Sequence, residues 1–226
     1  MLKFNELPEY MQNDAVKEYY DILQKKKLSL FLKRVFDIVV SGIMIIVLLP
    51  IFAILAILIK CDSKGPVMFR QVRITRYGKE FRIFKFRTMV NNADKIGSQV
   101  TTNNDARITK VGAKLRGVRL DELPQLFNVF AGDMSFVGTR PEVKKYVERY
   151  TDSMYATLLL PAGITSEASI EYKDEEKLLA GGEDTDEIYV NQVLPQKMKY
   201  NLESIKKFSI FSDIKTMFRT VFAVLK

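Results

Sequence analysis

Histidine is absent from this chain of 226 residues, and Cys61 is its single cysteine. Without histidine, neither a Ser-His nor a Cys-His nucleophilic pair can form, and ordinary zinc sites lose their usual ligands. One cysteine also excludes a disulfide within the chain. Any acid, base or nucleophile must therefore come from Asp, Glu, Lys, Tyr or an unassisted hydroxyl. A bound metal would be held by oxygen atoms, which favours magnesium or manganese.

Acidic residues are fewer than basic ones, 27 against 35, and the formal net charge is +8. Nucleic acid, anionic lipid and a polyphosphate substrate are all compatible with such a surplus, so charge alone does not decide between them. The distribution of the charge is more informative, because basic residues lie on both sides of one apolar segment. They are Lys25, Lys26, Lys27, Lys33 and Arg34 before it, and Lys60, Lys64, Arg70, Arg73, Arg76 and Lys79 after it.

The apolar segment covers residues 35–59, where Asp37 is the only ionisable group. A straight helix of this length could cross a hydrocarbon layer of roughly 30 Å, and a single span remains an alternative. However, Pro50 favours a kink that leaves two arms too short to cross alone. Both flanks are basic, and short cytoplasmic flanks attract Lys and Arg. We therefore predict a re-entrant helical hairpin over residues 33–60 that enters one leaflet from the cytoplasmic face.

A signal peptide is a poorer explanation of this segment, because the run begins late, lacks a small-residue cleavage site and is too long. We expect residues 1–32 to form a cytoplasmic lead-in and residues 61–226 to form a globular catalytic domain. With 47% hydrophobic residues, the chain can build a real core.

Two β-branched and aromatic runs, residues 67–74 and 80–89, are separated by a turn and predict a β-hairpin. Strand alternation places Lys85 and Arg87 on one face of the second run. The same pattern is typical of an exposed edge strand protected by lysine, so this feature alone does not identify a site.

Helices are predicted in residues 106–118 and from about 123 to 130, where Pro124 suits a first turn and Gly132 an end. The acidic stretch 167–187 is typical of a solvated face rather than a metal site. Near the C-terminus an apolar stripe predicts an amphipathic helix, which could lie in the membrane interface or pack on the core. Its members are Phe211, Ile214, Phe218, Val221, Phe222 and Leu225. The predicted fold is α+β and mainly helical, with a small globular domain on the cytoplasmic face, a re-entrant membrane helix hairpin and interfacial amphipathic helices.

Two adjacent carboxylates, Asp121 and Glu122, stand at the predicted start of the helix at 123–130. Free amide groups and the helix dipole there should keep Asp121 ionised, and an ionised aspartate can attack phosphorus. An arbitrary acidic pair at this place more often caps a helix. The surroundings favour chemistry, because Arg116 and Arg119 precede the pair and a glycine-rich loop predicted at residues 132–140, GDMSFVGTR, follows it. Glycines, a hydroxyl and arginines can hold phosphate oxygens and neutralise charge in phosphoryl transfer.

Five motifs carry a resemblance to a known family. They are RVFD at 34–37, GPV at 65–67, KFRTM at 85–89, LDELPQLFNV at 120–129 and GDMSFVG at 132–138. Together, over residues 33–225, they resemble the bacterial sugar transferase family, the monotopic polyprenyl-phosphate phosphoglycosyl transferases. The resemblance implies a re-entrant membrane helix and a small mixed domain on the cytoplasmic face of the bacterial inner membrane.

The resemblance also implies a reaction, in which a UDP-sugar donates its sugar-1-phosphate to undecaprenyl phosphate and UMP is released. This would be the first membrane step in the assembly of a bacterial surface glycan, such as a capsule or an exopolysaccharide. In that family the aspartate of the dyad is the nucleophile and forms a covalent phosphosugar-aspartate. The role falls here on Asp121, with Glu122 as its partner and Mg²⁺ bound beside Asp121. Candidates for holding the diphosphate are Lys85, Arg116 and Arg140, followed by Arg87 and Arg119.

The sequence departs from the family pattern outside the dyad, and these departures leave the donor sugar undetermined. For example, Thr139 stands where the family usually has proline, and Ser166 where it commonly has glycine. A competing hypothesis is a non-enzymatic, membrane-anchored basic adaptor that binds anionic lipid or nucleic acid. It explains the charge but not the dyad, and no nucleic-acid motif is recognisable. The enzyme hypothesis expects a UDP-sugar, undecaprenyl phosphate and membrane lipid as partners, no nucleic acid, and a homodimer as a candidate assembly.

Overall fold

The computed structural model describes residues 1–93, 105–172 and 185–225. Its helices are α1 (Asp14–Gln24), α2 (Lys27–Asp62), α3 (Lys110–Gly117), α4 (Gln125–Ala131), α5 (Lys144–Val147), α6 (Glu167–Glu171), α7 (Thr185–Ile188), α8 (Leu194–Lys206) and α9 (Ile210–Leu225). Its strands are β1 (Met68–Ile74), β2 (Glu80–Phe86), β3 (Met134–Val137) and β4 (Ala162–Thr165). The predicted class, α+β and mainly helical, is confirmed.

The strands form two small sheets. Strands β1 and β2 pair antiparallel, from Met68 opposite Phe86 to Ile74 opposite Glu80, which confirms the predicted hairpin. Its turn contains Gly78 at φ 74°, a backbone conformation that glycine adopts without steric cost. Strands β3 and β4 pair parallel. This second sheet was not predicted, because residues 132–140 had been interpreted as a loop.

Helix α2 is a single helix of 36 residues that contains Pro50. It is long and apolar enough to cross a membrane by length and composition. Many of its apolar side chains point away from the protein, and Ile46 and Val47 are about two thirds exposed. A helix with such an exposed apolar surface requires an apolar environment. The membrane segment predicted from the sequence therefore exists as a helix, and its path through the lipid remains a prediction.

Both arms of α2 that flank Pro50 contact the same short helix, α4. Arg34 donates hydrogen bonds to the carbonyls of Val129 and Phe130, at 2.6 and 2.9 Å. Beyond Pro50, the ring of Phe52 lies 5.7 Å from the ring of Phe127. On a straight helix the Cα atoms of Arg34 and Phe52 would be about 27 Å apart, yet their partners are two or three residues apart. Both ends of the apolar run therefore face one globular body.

Two clusters of buried apolar side chains support this body. The α2 core comprises Phe52, Leu55, Ile59, Phe81, Ile83, Phe86, Leu115, Leu126, Val129, Met134, Phe136 and Ala162. The α1 core comprises Leu7, Met11, Val16, Tyr19, Tyr20, Leu23, Ile74, Val143, Tyr146, Val147, Tyr150, Met154, Ala156, Leu158, Leu159, Tyr189, Val193, Leu194, Met198, Ile205 and Phe208. Residues from the N-terminal 32 are thus part of a main core, a larger structural role than a lead-in would have.

Two helices differ from the sequence interpretation. Helix α3 begins at Lys110 rather than near residue 106, because Ile108 pairs with Met89 in an isolated β-bridge. Helix α9 was expected either at the interface or on the core, and its aromatic stripe faces outwards, with Phe211, Phe218 and Phe222 all exposed. Of the acidic stretch 167–187, residues 173–184 lie outside the described residues.

Candidate active site

The dyad lies in a single 3₁₀ turn, Leu120–Glu122, just before α4. Arg119 precedes this turn in the left-handed region at φ 58°, which reverses the chain after α3. Pro124 is the N-cap of α4, so the dyad lies outside the helix rather than in its first turn. Both carboxylate side chains point inwards, and Asp121 and Glu122 are each only 8% exposed. The two carboxylates lie next to each other just before a helix, as the sequence predicts, and the fold buries both of them.

Asn128 joins the dyad's helix to the strand that carries Lys85. Its side-chain oxygen accepts a hydrogen bond from the backbone N–H of Phe84 at 2.8 Å, and its side-chain nitrogen donates to the carbonyl of Arg82 at 3.0 Å. The Asn128 side chain therefore makes the backbone hydrogen bonds that a neighbouring strand would make at the edge of β2, and it holds α4 against β2. Sequence reasoning missed this positioning role. The only signal was a polar residue on a helix otherwise rich in apolar ones.

One carboxylate oxygen of Glu122 forms salt bridges with two cationic side chains. Lys85 Nζ lies 2.9 Å from Glu122 Oε1, and Arg140 Nη2 lies 2.8 Å from the same atom. Strand β2 positions Lys85, and the loop after β3 positions Arg140. The predicted site residues Lys85, Arg140 and Glu122 are therefore brought together from three separate parts of the chain.

The two carboxylates have opposite electrostatic properties. Burial raises the pKa of Asp121 above its ordinary value, while Lys85 opposes the shift and the charge on Glu122 adds to it. Burial would also raise the pKa of Glu122, but Arg140 and Lys85 outweigh it and hold that pKa well below its ordinary value. Burial therefore acts against the ionisation of Asp121 that the sequence predicts, because the dyad precedes the helix and is buried. Asp121 is the more basic of the two carboxylates.

The other predicted cations occupy different positions. Arg116, in the last turn of α3, is close enough to Asp121 to lower its pKa, and Arg119 lines the same cleft from an exposed position. Arg87 lines the cleft too, but its Nη2 donates to the carbonyl of Ser63 at 2.6 Å, just beyond the end of α2. Lys85 and Arg87 both line the cleft, although Arg87 fastens the end of α2 to the segment that follows β2.

The glycines at positions 132 and 138 do not form the predicted phosphate-binding loop. Most of the stretch between them is the buried strand β3. Gly132, at φ 95°, ends α4, and a Cβ at Gly138 would come within 2.6 Å of the carbonyl of Pro161. Among the described residues that line the cleft, neither glycine appears. These glycines therefore serve the fold, and Arg140 remains as the phosphate-binding candidate from this motif.

The donor set fits magnesium only when a substrate completes it. In the described parts of the chain, no group of three or more acidic side chains could hold a metal. Magnesium is commonly bound by one or two carboxylates together with substrate phosphates and water. Asp121 provides such a carboxylate in an open cleft of about 1730 Å³, whereas Glu122 is already engaged by two cations.

Comparison of the sequence with known proteins identifies the protein family of this chain. Residues 28–226 match the model of the family described as bacterial sugar transferase. The chain belongs to this family. The resemblance of its motifs is thereby confirmed.

Curated relatives of this bacterial sugar transferase carry related names. A UDP-N-acetylgalactosamine-undecaprenyl-phosphate N-acetylgalactosaminephosphotransferase of Aeromonas hydrophila is 36% identical over 86% of the chain and 44% of its own length. A UDP-glucose:undecaprenyl-phosphate glucose-1-phosphate transferase of Klebsiella pneumoniae is 38% identical over 86% of the chain and 40% of its own length. One with the same name from Caulobacter vibrioides is 34% identical over 85% of the chain and 69% of its own length. The chain thus spans about two fifths of the first two relatives and two thirds of the third.

Proposed function

We propose that this chain transfers a sugar-1-phosphate from a UDP-sugar to undecaprenyl phosphate with release of UMP, and that Asp121 is the nucleophile. The observation that carries the proposal is the division of roles in the dyad. Glu122 holds both Lys85 and Arg140, whereas the pKa of Asp121 is raised by burial. A more basic carboxylate is a better nucleophile once it is ionised, so the geometry favours Asp121 over Glu122 for attack.

The first step would break the bond between the phosphorus that bears the sugar and the oxygen that bridges the donor's two phosphorus centres. An oxygen of the Asp121 carboxylate attacks the phosphorus that bears the sugar, the bridging oxygen leaves with UMP, and a phosphosugar-aspartate forms. In the second step a phosphate oxygen of undecaprenyl phosphate attacks the same phosphorus and the carboxylate leaves. The product is a sugar joined to the lipid by a diphosphate. Neither step needs a histidine, because the lipid acceptor is already an anion.

The cations around the dyad would stabilise the charge that develops on the phosphate oxygens. Arg140 and Lys85 are positioned by Glu122, which makes Glu122 a positioning residue in this scheme. Arg116 approaches Asp121 from α3, and Arg119 faces the same cleft. Magnesium, held by Asp121 and the donor's phosphates, would supply further positive charge to the diphosphate.

We infer that α2 enters the membrane from the cytoplasmic face and returns to it, which places the dyad at the lipid surface. The contacts of both α2 arms with α4 support this path, as do the basic flanks on both sides of the segment. The outward aromatic stripe of α9 supports an interfacial position for that helix.

Mass spectrometry of the full chain in detergent, incubated with a UDP-sugar and magnesium but no lipid acceptor, tests the reaction. We expect an adduct with the mass of a sugar phosphate on Asp121, and release of UMP when undecaprenyl phosphate is also present. Asp121→Asn should abolish the adduct, while Asp133→Asn, which alters an aspartate outside the cleft, should keep it. Release of UDP would instead indicate a glycosyl transferase. If no adduct and no UMP release are seen across a broad panel of donors, the result would favour the basic adaptor.

Single-cysteine labelling tests the membrane path. In a Cys61→Ser background, Ser29→Cys and Lys64→Cys place one thiol before and one after the apolar run. We expect both thiols to react with a membrane-impermeant reagent from the same side of sealed vesicles. Labelling from opposite sides would show that α2 spans the bilayer.

A further inference from the structure

A second polar cluster lies in the same cleft as the dyad, and neither step of the proposed reaction uses it. Glu142, Tyr189 and Lys197 are all buried, with exposures of 7, 3 and 4%. The Tyr189 hydroxyl donates to Glu142 Oε1 at 2.5 Å, and Lys197 Nζ donates to the Tyr189 oxygen at 3.2 Å. All three side chains line the cleft that also contains Asp121. The cluster therefore combines a carboxylate, a hydroxyl and an ammonium at one wall of the site.

The cluster is tied closely to the dyad through the loop after β3. Arg140, which binds Glu122, is separated from Glu142 by Pro141 alone, so their Cα atoms are at most about 7 Å apart. Arg73 donates to the Pro141 carbonyl at 3.2 Å and is itself held by two hydrogen bonds to Gln71. The charges of Glu142 and Arg140 both act on the pKa of Arg73, so Arg73 lies close to both the cluster and the cation beside the dyad.

An irregular helix supplies the other side of the cluster. Residues Tyr189–Val193 form a π-helical turn between α7 and α8. Such turns are rare and frequently mark functional sites. Here the wider turn starts at Tyr189, while Lys197 follows on α8, and the side chains of both reach Glu142. A regular helix would place these two residues in a different relation to each other.

Fold stability alone is a weak explanation for such a cluster, because well-packed apolar side chains often replace a buried ion pair without loss of stability. A carboxylate has about four acceptor sites, a lysine three donors, and a tyrosine hydroxyl one donor and two acceptors. This combination of donors and acceptors is complementary to adjacent hydroxyl groups on a ligand, since each hydroxyl donates one hydrogen bond and accepts others. We infer that Glu142, Tyr189 and Lys197 form a subsite for the hydroxyl groups of the donor's hexose, an inference that rests on the proposed function.

The position of the cluster favours the hexose over the ribose of the nucleotide. In a nucleotide sugar, the hexose is bonded through one oxygen to the phosphorus that Asp121 would attack, whereas the ribose lies one phosphate further away. Glu142 and Arg140 both lie near Arg73, so the inference places the group directly attached to that phosphorus beside Glu142. Tyr146, whose ring centroid lies 4.8 Å from that of Tyr189, adds an aromatic surface against which the sugar ring can pack.

Two substitutions test the subsite in the full chain in detergent. Tyr189→Phe removes only the hydroxyl that donates to Glu142, and Glu142→Gln removes the charge. The matched control is Tyr20→Phe, which also removes one buried hydroxyl. That hydroxyl donates a hydrogen bond to the Leu2 carbonyl at 3.0 Å, and Tyr20 does not line the cleft. Calorimetry measures binding of UDP-glucose, UDP-galactose, UDP-N-acetylgalactosamine and UMP, and a parallel assay measures UMP release.

We expect both variants to weaken binding of the preferred UDP-sugar about tenfold to hundredfold and to change the preference between glucose and galactose, which differ at one hydroxyl. Affinity for UMP should be unchanged, and Tyr20→Phe should match the unmodified chain. An equal loss of UMP affinity would place the ribose or base in this subsite, and a uniform loss for all three sugars would indicate a structural role. Either result overturns the inference, as does failure of the unmodified chain to bind any of the UDP-sugars. Sugar-dependent binding without UMP release would overturn the proposed reaction and leave the subsite supported.

Discussion

The two cores of this protein differ in their aromatic residues. The α2 core contains four buried phenylalanines and no tyrosine. The α1 core contains five buried tyrosines, and Phe208 is the only phenylalanine among its buried members. A tyrosine keeps a polar group that must find a partner when it is buried, whereas a phenylalanine does not. The cleft lies between elements of both cores, so its two walls have different chemical properties.

This difference separates two tasks of the site. The phenylalanine-rich side carries the apolar helix α2 and the dyad, and burial there raises the pKa of Asp121. The tyrosine-rich side supplies hydroxyl groups with fixed partners, such as the bond from Tyr189 to Glu142. An apolar wall suits the activation of a carboxylate, and a polar wall suits the recognition of a hydroxylated ligand. The predictions below test this division, beginning with the largest effect.

Asp121→Asn should reduce UMP release at least about 10³-fold, because the amide cannot take the place of the attacking carboxylate. The variant should nevertheless be as stable as the unmodified chain, or more so. The folded-state pKa of Asp121 is raised, so folding favours the neutral carboxyl, and that contribution is lost as the pH rises through the folded pKa. At neutral pH an uncharged amide relieves this cost. Thermal unfolding beside the UMP assay checks both parts, and a variant that retains the native rate would contradict the proposed mechanism.

Glu122→Gln should lower the rate about 10²-fold and cost about 3 kcal/mol of stability, since it leaves Lys85 without its buried partner. It should also move the acid limb of the pH–rate profile. The negative charge of Glu122 raises the pKa of Asp121, so its removal should shift that limb to lower pH. Glu203→Gln, which alters an exposed pair with Lys207, is the matched control. An unchanged acid limb would show that the two carboxylates do not interact as described.

Exchanging one hydroxyl group in each core compares the two directly. Phe81→Tyr adds a hydroxyl to the α2 core and should cost about 2 kcal/mol, because a buried polar group there lacks a partner. Tyr20→Phe removes a hydroxyl from the α1 core and should cost about 1 kcal/mol, the net worth of one hydrogen bond. Urea unfolding of both variants measures the difference. Equal costs would mean that the aromatic composition of the cores has no energetic basis.

The smallest effect on activity is expected at α9. The chain has no tryptophan, so Phe218→Trp introduces a single fluorescent residue on the exposed stripe, and Phe208→Trp places one in the α1 core. In vesicles with brominated lipids, we expect strong quenching of the residue at 218 and weak quenching at 208, with UMP release within about twofold for the variant at 218. Absence of quenching at position 218 would remove α9 from the membrane interface.

Local patterns accounted for much of the fold and for the membership of the site. The hairpin of β1 and β2 followed from two apolar runs around a turn, and the position of α4 followed from Pro124 and Gly132, because these signals act within a few residues. Sequence motifs identify the dyad and the cations Lys85 and Arg140. Tertiary packing brings these cations into contact with Glu122.

Features that depend on distant residues were not accessible in this way. The pairing of β3 with β4 joins residues 134–137 to residues 162–165, and nothing local separates a short buried strand from a loop. The raised pKa of Asp121 was not predicted, because the burial that raises it is set by the whole core. The cluster of Glu142, Tyr189 and Lys197 combines residues up to 55 positions apart in sequence, none of which belongs to a motif.

The hydrogen bonds of Arg34 have a consequence for biosynthesis. Arg34 satisfies the last carbonyls of α4, the helix that follows the dyad, and it precedes that helix in the chain, so it is synthesised earlier. A newly made polypeptide whose hydrophobic segment had not yet reached the bilayer would lack this cap and the aromatic contacts of Phe52. If α2 inserts as proposed, completion of the dyad's supporting helix would follow insertion, and little competent enzyme would exist away from the membrane.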